Sequence, residues 1–351
     1  MKYDCIVVGG GIVGMTTARE LARRNLNVAI FDKAELGKES SWAAGGILSS
    51  MRPWIEHPVS AELSESGKNY YPEFVKELLS ETGINPEYVR SGLLMIEKEA
   101  IEKTLLWAES NQITITQKYD DLPFKLEDKE PRLFLPDIAQ VRPPKLLTAL
   151  RKSLDLLEVT CFEHTEVKSI KIIDNDFQSV SFEGGSLTAN AVVIAAGAWS
   201  TSLIQGISEK INVYPVLGEM LCINFGKPVL KPIILDGGNY LIPRLDGQVL
   251  IGSTMEKKEF KKETTSKAKE NLIKWAGKIW PELIKQPIIG HWAGLRPATD
   301  SQYPYVGLLK DSKNIYLNMG HFRKGILQAP ICAKIMADLF CGNLQKNKYL
   351  I

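Results

Sequence analysis

The sequence predicts an α/β protein of two lobes: a largely parallel sheet with helices packed on it and, inserted between its strands, a mixed, mainly antiparallel sheet. Three observations carry this. Short, continuously apolar runs stand near the start, middle and end of the chain, at Cys5-Ile6-Val7-Val8, Ala191 to Ala196 and Ile315 to Leu317. Runs of that kind suit parallel strands covered on both faces. Between them lie segments with hairpin punctuation, and the 351 residues exceed what one hydrophobic core usually fills.

Taken in order, Cys5 to Val8 meets Gly9-Gly10-Gly11-Ile12-Val13-Gly14, and a helical stretch follows with Ile12, Met15, Ala18 and Ala22 on one side. Val28 to Phe31 is the next strand, and Asp32 ends it. The middle buried strand stops at Gly197, and the last runs through Gly320 into a helical stretch from Ile326 to Leu339. In the inserted part, Asn69 to Thr82 and Lys267 to Ile279 read as helices, and Val213 to Ile223 reads as extended, with Pro215 and Gly218 as punctuation. Asn239 to Arg244 and Gln248 to Thr254 are strands joined through Asp246-Gly247, a strong hairpin signal. The expected division places residues 1–65, 140–205 and 290–351 in the first lobe and 66–139 and 206–289 in the second.

Composition narrows the function classes. Hydrophobic residues at 44% and charged residues at 24% describe an ordinary globular chain. With 43 basic against 41 acidic side chains and no clustered basic excess, no nucleic-acid partner is expected. The densest charge run, from Lys257-Lys258-Glu259 to Lys261-Lys262-Glu263, mixes signs and reads as a solvated face. Five cysteines at 5, 161, 222, 332 and 341 show no Cys-x-x-Cys spacing, which predicts reduced thiols in a cytoplasmic protein. The histidines at 57, 164, 291 and 321 lack ligand spacing, so no metal site is expected. Cys5 to Met15 is apolar like a signal-peptide core but carries four glycines, and no uninterrupted apolar run reaches the roughly 18 residues that membrane insertion requires.

The chemistry begins at the first glycines. Gly9 permits a tight turn, Gly11 lets a pyrophosphate approach the backbone, and Gly14 allows close helix–strand packing. The helix N-terminus offers free N–H groups to phosphates, and Asp32 can accept hydrogen bonds from a ribose. This unit holds the ADP half of a dinucleotide, but alone it does not separate FAD from NAD. Three further segments bear on that choice: Ser40-Ser41-Trp42-Ala43-Ala44-Gly45-Gly46-Ile47-Leu48, Trp292-Ala293-Gly294-Leu295-Arg296-Pro297, and Gly320-His321-Phe322-Arg323-Lys324-Gly325-Ile326. The first lets backbone amides approach a flat ring. The last places a helix N-terminus where negative charge on a reduced flavin could be held.

At these residues the chain resembles the D-amino-acid-oxidase-like flavoenzymes, and most of all their glycine oxidase branch, which feeds thiazole formation in thiamine biosynthesis. GGGIVG, SSWAAGGIL, NAVVIAAGAWS, YPVLGEM, NYLIPRLDGQVLIGSTM, WAGLRPATD and GHFRKGIL follow one another in the family's order. The resemblance implies a Rossmann-like FAD-binding domain with an inserted mixed antiparallel β-sheet substrate domain. It implies non-covalent FAD, since neither Asn318 nor Met319 can form a cysteinyl link. It implies oxidation of glycine, sarcosine or a small D-amino acid by hydride transfer to the flavin, giving an imine, then ammonia and a 2-oxo acid, with peroxide from oxygen.

Position by position, Arg296 matches the arginine that clamps the substrate carboxylate, Tyr240 the tyrosine that assists it, and Arg323 a residue close to flavin and pocket. Met255 and Ile47 would line the pocket. The expected cofactor contacts are Gly9, Gly11, Ile12, Val13, Gly14, Asp32, Lys33, Ser40, Ser41, Gly45, Gly46, Ile47, Val167, Gly197, His321, Phe322, Arg323, Lys324, Gly325 and Ile326. From the residues alone, Arg296 could equally form a structural salt bridge, and Tyr240 and Met255 could be plain core. His321 reads as a turn residue rather than a catalytic base. Trp42, Gly238 and Lys324 depart from the family's usual residues. Association with further copies of the chain and a hand-off to a thiazole synthase are both compatible with the resemblance. Competing readings are a D-amino-acid dehydrogenase that reduces a quinone, a flavin-dependent tRNA-modifying enzyme, and a non-catalytic nucleotide-binding module.

Overall fold

The computed structural model describes residues 2–117, 119–126, 132–204, 211–257 and 259–344. Lys258 of the mixed-charge run and the expected boundary at 205/206 lie outside them. The strands of the first half are β1 (Tyr3–Val8), β2 (Val28–Phe31), β3 (Ile47–Leu48), β4 (Leu93–Met95), β5 (Leu133–Leu135), β6 (Ala139–Gln140), β7 (Thr160–Phe162), β8 (Val167–Ile173) and β9 (Asp176–Phe182). Those of the second half are β10 (Gly185–Ile194), β11 (Val213–Asn224), β12 (Ile233–Asp236), β13 (Asn239–Pro243), β14 (Gln248–Gly252), β15 (Glu256–Lys257), β16 (Ile288–Thr299), β17 (Tyr305–Leu308) and β18 (Ile315–Met319). The helices are α1 (Ile12–Ala22), α2 (Pro58–Thr82), α3 (Ile101–Ser110), α4 (Pro143–Leu156), α5 (Ser200–Leu203), α6 (Ser266–Ile279) and α7 (Gly325–Phe340). None of the described helices is long and apolar enough to cross a membrane.

The three apolar runs meet in one sheet of order β17-β18-β10-β1-β2-β7. β1 lies parallel to both β10 and β2, with Cys5 opposite Ala191 and Val28, and β18 continues the parallel set beyond β10. Alternation along β1 sends Cys5 and Val7 into a core with Met15, Tyr71, Leu327 and Met336 of the helices. Ile6 and Val8 enter the opposite core with Phe177, Val180 and Leu317. Each such fully buried side chain contributes roughly 1.5–3 kcal/mol. The middle strand is longer than the run that announced it. β10 begins at Gly185, where it pairs antiparallel with β9, and only its last residues run parallel to β1.

The second sheet has the order β15-β11-β14-β13-β12-β4-β5, with β16 on the other side of β11. The Asp246-Gly247 hairpin joins β13 to β14, with Leu241 opposite Ile251. On β13, Tyr240 and Ile242 face one core and Leu241 the other, beneath α6. Three expected lobe boundaries fall inside elements, the one between 139 and 140 splitting β6, which pairs with β3 as a unit. The cut between 65 and 66 falls inside α2, whose Leu63, Tyr71, Phe74 and Leu78 all pack into the first lobe's core, so the whole helix belongs there. The cut between 289 and 290 falls inside β16, which pairs with β11 from Ile288 to Thr299. Arg296 therefore stands on the second sheet.

Candidate cofactor cleft and substrate cavity

At the β1–α1 turn Gly9 adopts φ +110°, and a Cβ there would collide with the carbonyl of Ala195, the residue just past the neighbouring strand β10. Gly14 has no room for a side chain against the Gly9 carbonyl, so α1 sits hard on the turn. Ser41 Oγ accepts from Ile12 N at 2.9 Å, while the amides of Gly11 and Val13 have no protein partner among the described residues. Asp32 accepts from Gly10 N at 2.7 Å and Ala34 N at 2.9 Å. Burial raises its pKa above the ordinary carboxylate value, and those two amides pull the other way. Free amides at the start of an 11-residue helix and a held carboxylate one strand away fit the phosphates and ribose of a dinucleotide.

The cleft that begins here is lined by Gly9, Gly11, Ile12, Val13, Asp32, Lys33, Ser40, Ser41, Val167 and Gly197 and runs on to Arg296, His321, Phe322, Arg323, Gly325 and Ile326. Lys33 Nζ stands 3.3 Å over the ring of Trp199, which also lines this cleft. Gly14 alone of the expected cofactor residues lies outside both cavities and acts through packing.

A second cavity of about 670 Å³ opens beside it, lined by Gly45, Gly46, Ile47, Tyr240, Met255 and Lys324 among others. The two share Ala44, Gly320, His321, Phe322, Arg323 and Ile326. Tyr240 is 6% exposed, its hydroxyl 3.8 Å from Met220 Sδ. Arg296 donates to Thr254 O at 3.1 Å and Ser253 Oγ at 2.8 Å, and no carboxylate among the described residues pairs with it. Its guanidinium fills the space over Gly218. Arg323 Nη2 is buried without an acceptor. Burial lowers the Arg323 pKa; Tyr240 opposes that, and the nearby Arg296 and Arg52 reinforce it. Arg323 thus lies within electrostatic reach of Tyr240 and of two further guanidinium groups.

A buried polar chain supports this junction. Lys324 pairs with Glu56, whose side chain is 2% exposed, and also donates to Ser60 Oγ at 3.1 Å. Gln328 Nε2 donates to Ser60 O and Ser64 Oγ, both at 3.1 Å. Gln328 Oε1 lies 3.0 Å from His321 Nδ1, and Asn318 Oδ1 lies 2.9 Å from His321 Nε2. Asn318 reaches Thr17 of α1 at 3.0 Å. Burial pushes the His321 pKa down to about 4, with the Gln328 hydrogen bond opposing it. On the other wall Arg244 donates to Gln140 Oε1, Val141 O and Gly45 O, which fixes the 45–46 backbone. Its pKa falls to about 10, through burial and then Arg142.

The departures from the family pattern resolve individually. Trp42 is 37% exposed and packs edge-on against Trp292 at 5.6 Å, away from both cavities. Lys324 is held by Glu56 and does not point into solvent. Met255 is 62% exposed at the cavity wall, which excludes the core-packing reading. Sequence reasoning missed Arg52, Glu56, Gln328 and the anchoring role of Arg244. Arg52 and Glu56 follow the Ser40–Leu48 segment closely, and that proximity to a flavin-side loop was the one signal available.

The family model described as FAD dependent oxidoreductase matches residues 4–339. Glycine oxidase of Pseudomonas aeruginosa is 35% identical over 348 residues, covering 97% of this chain and 96% of that protein. The crystal structure of glycine oxidase from Bacillus cereus superposes with a TM-score of 0.92 at 31% identity, covering 99% of this chain and 96% of that one. The bifunctional protein ThiO/ThiG of Synechocystis is 29% identical over 347 residues, 96% of this chain and 51% of its own length.

Proposed function

This chain belongs to the family of FAD-dependent oxidoreductases, and from that premise we propose that it oxidises glycine or another small amino acid, with oxygen as the electron acceptor. The observation that carries the reading is the meeting of the two cavities at Arg323, with Arg296 and Tyr240 beside it and no acidic partner on either arginine among the described residues. Guanidinium forks with a phenol hydroxyl are a receptor for a carboxylate. The glycine oxidases of Pseudomonas aeruginosa and Bacillus cereus add support for the amino-acid class.

When bound, non-covalently, FAD supplies the two-electron oxidation of the substrate's carbon–nitrogen bond and passes the electrons to oxygen. The chain's own contribution is binding and orientation. Arg296 and Arg323 hold the carboxylate, Tyr240 donates its hydroxyl, and Ile47 and Met255 shape the apolar wall. Glu56 is engaged by Lys324 and His321 by two amides, so neither is free to take the amine proton. The amine enters in its neutral form. The imine is hydrolysed or handed to a thiazole synthase, a hand-off supported by the joining of ThiO and ThiG in one chain of Synechocystis.

The test is a peroxide assay of the FAD-loaded protein against glycine, sarcosine and a panel of D-amino acids. Peroxide formed in step with oxygen consumption is expected. Turnover only with a quinone or dye would replace oxidase by dehydrogenase, and no turnover of any member would overturn the amino-acid reading.

A further inference from the structure

We infer that the preferred substrate carries a second anionic group beyond its α-carboxylate and that Arg52 receives it; this rests on the amino-acid oxidation proposed above. Arg52 stands in the loop between β3 and α2 and lines the 670 Å³ cavity together with Arg323 and Lys257. Only one of its nitrogens is engaged by the protein among the described residues, Nη2, which lies 2.5 Å from Glu97 Oε1. Its Nε is buried without an acceptor. A buried guanidinium donor left unpaired costs free energy until an oxygen reaches it.

The floor beside that guanidinium is bare backbone. A Cβ on Gly237 would stand 3.8 Å from Arg52 Nη2, and one on Gly238 would meet nothing within 4 Å. The cavity therefore extends past the carboxylate receptor toward Arg52 with no side chain to fill it. Its volume is in the range that accommodates ligands far larger than glycine, even with part of it given to the cofactor ring.

Charge points the same way. Lys324 is matched by the buried Glu56. Arg52 is partly matched by Glu97 through Nη2 but keeps an unpaired Nε, while Arg296 and Arg323 have no acidic partner among the described residues, so a single α-carboxylate leaves a cation unmatched. A substrate with a second carboxylate, on the α-carbon side chain or on the nitrogen, answers both the open volume and the excess of cations.

The experiment compares kcat/KM of the FAD-loaded full-length protein on iminodiacetate and D-aspartate with their neutral counterparts sarcosine and D-alanine. At least one dianion is expected to exceed its counterpart by about tenfold or more, the worth of one charge-assisted hydrogen bond. Arg52→Gln should abolish that ratio, and Glu97→Gln, which keeps an acceptor oxygen for Arg52 but removes the competing negative charge, should keep or raise it. A ratio near one in the wild type overturns the inference, as does a ratio that Arg52→Gln leaves intact. Loss of the ratio in Glu97→Gln as well would make the Arg52–Glu97 pair a structural latch, which also overturns it. Titrating the flavin absorbance with malonate against acetate separates binding from turnover. Arg52-dependent malonate preference without oxidation of any amino acid would refute the proposed function and leave the anion site standing. Glycine oxidation without any dianion preference would do the reverse.

Discussion

His321 sets a pH limit on stability that can be worked from its surroundings. The ring is buried, and burial lowers its pKa from the ordinary 6.5 to about 4. A neutral imidazole donates once. Its Nδ1 proton goes to Gln328 Oε1, because the amide nitrogen of Gln328 is committed to Ser60 and Ser64. Nε2 faces Asn318 Oδ1 at 2.9 Å, the nitrogen of that amide being given to Thr17 Oγ1, so in the neutral ring Nε2 has no donor. The unfolded chain takes a proton on this histidine below about pH 6.5, whereas the folded protein does not until about pH 4. The stability that the neutral ring contributes is thus present above 6.5 and lost as pH falls through that window. A fall from 6.5 to about 4 at about 1.36 kcal/mol per pH unit amounts to about 3 kcal/mol. Urea denaturation of the wild type and His321→Gln at pH 7, 5.5 and 4.5 measures it: the wild-type advantage should shrink by about that amount across the series. Parallel curves would refute the reasoning. So would an imidazole resonance titrating at or above 6.5, which would make the ring an imidazolium that donates to both amides.

Other substitutions probe the remaining parts of the site. Arg296→Ala should lower kcat/KM by about 10²–10³-fold, as for loss of two charge-assisted hydrogen bonds, while the ratio of FAD to protein is unchanged. If Arg323→Ala alone has that effect, Arg323 and not Arg296 is the principal carboxylate anchor. Gly218→Ala puts a methyl group where the Arg296 guanidinium lies, and should raise KM about tenfold or more without loss of FAD. Gly9→Ala meets the Ala195 carbonyl at a φ of +110°, and the purified variant should contain little or no FAD by absorbance. Glu56→Ala leaves Lys324 without its counter-ion, and denaturant titration should show a loss of about 3 kcal/mol or more.

The parallel sheet was legible because each of its strands announces itself locally. Four apolar residues in a row, as in β1 or at the end of β10, have no polar face to offer water and must be covered on both sides. The same logic explains what was misread. α2 was expected only from Asn69, because Pro58 and a serine- and glutamate-rich first half obscure the periodicity of Ser60, Leu63, Ser64 and Gly67. Its buried face uses small residues because α7 crosses close by: a Cβ on Gly67 would strike the backbone of Leu327. Small residues at a helix crossing carry no hydrophobic signal. The boundary at 289/290 cuts β16 because Gly294 and Pro297 interrupt its apolar pattern, whereas its pairing with β11 continues through both.

The site was legible to the extent that its residues lie in segments with their own backbone demands. The glycine turn, the Ser40–Leu48 segment and the Gly320–Ile326 turn each reveal themselves by composition, and all three line the cavities. Glu56 and Arg52 do not, since a carboxylate two residues before Pro58 and an arginine before Pro53 look like any exposed loop. Their meaning depends on Lys324, 268 positions away from Glu56, and on Glu97 across the second lobe. Only after both lobes are in place does Glu56 become a buried counter-ion that neutralises Lys324 and spares the junction a further cation. That division of labour leaves Arg296 and Arg323 without acidic partners among the described residues near the junction of the two cavities, so the charge that completes the site must be brought by the ligand.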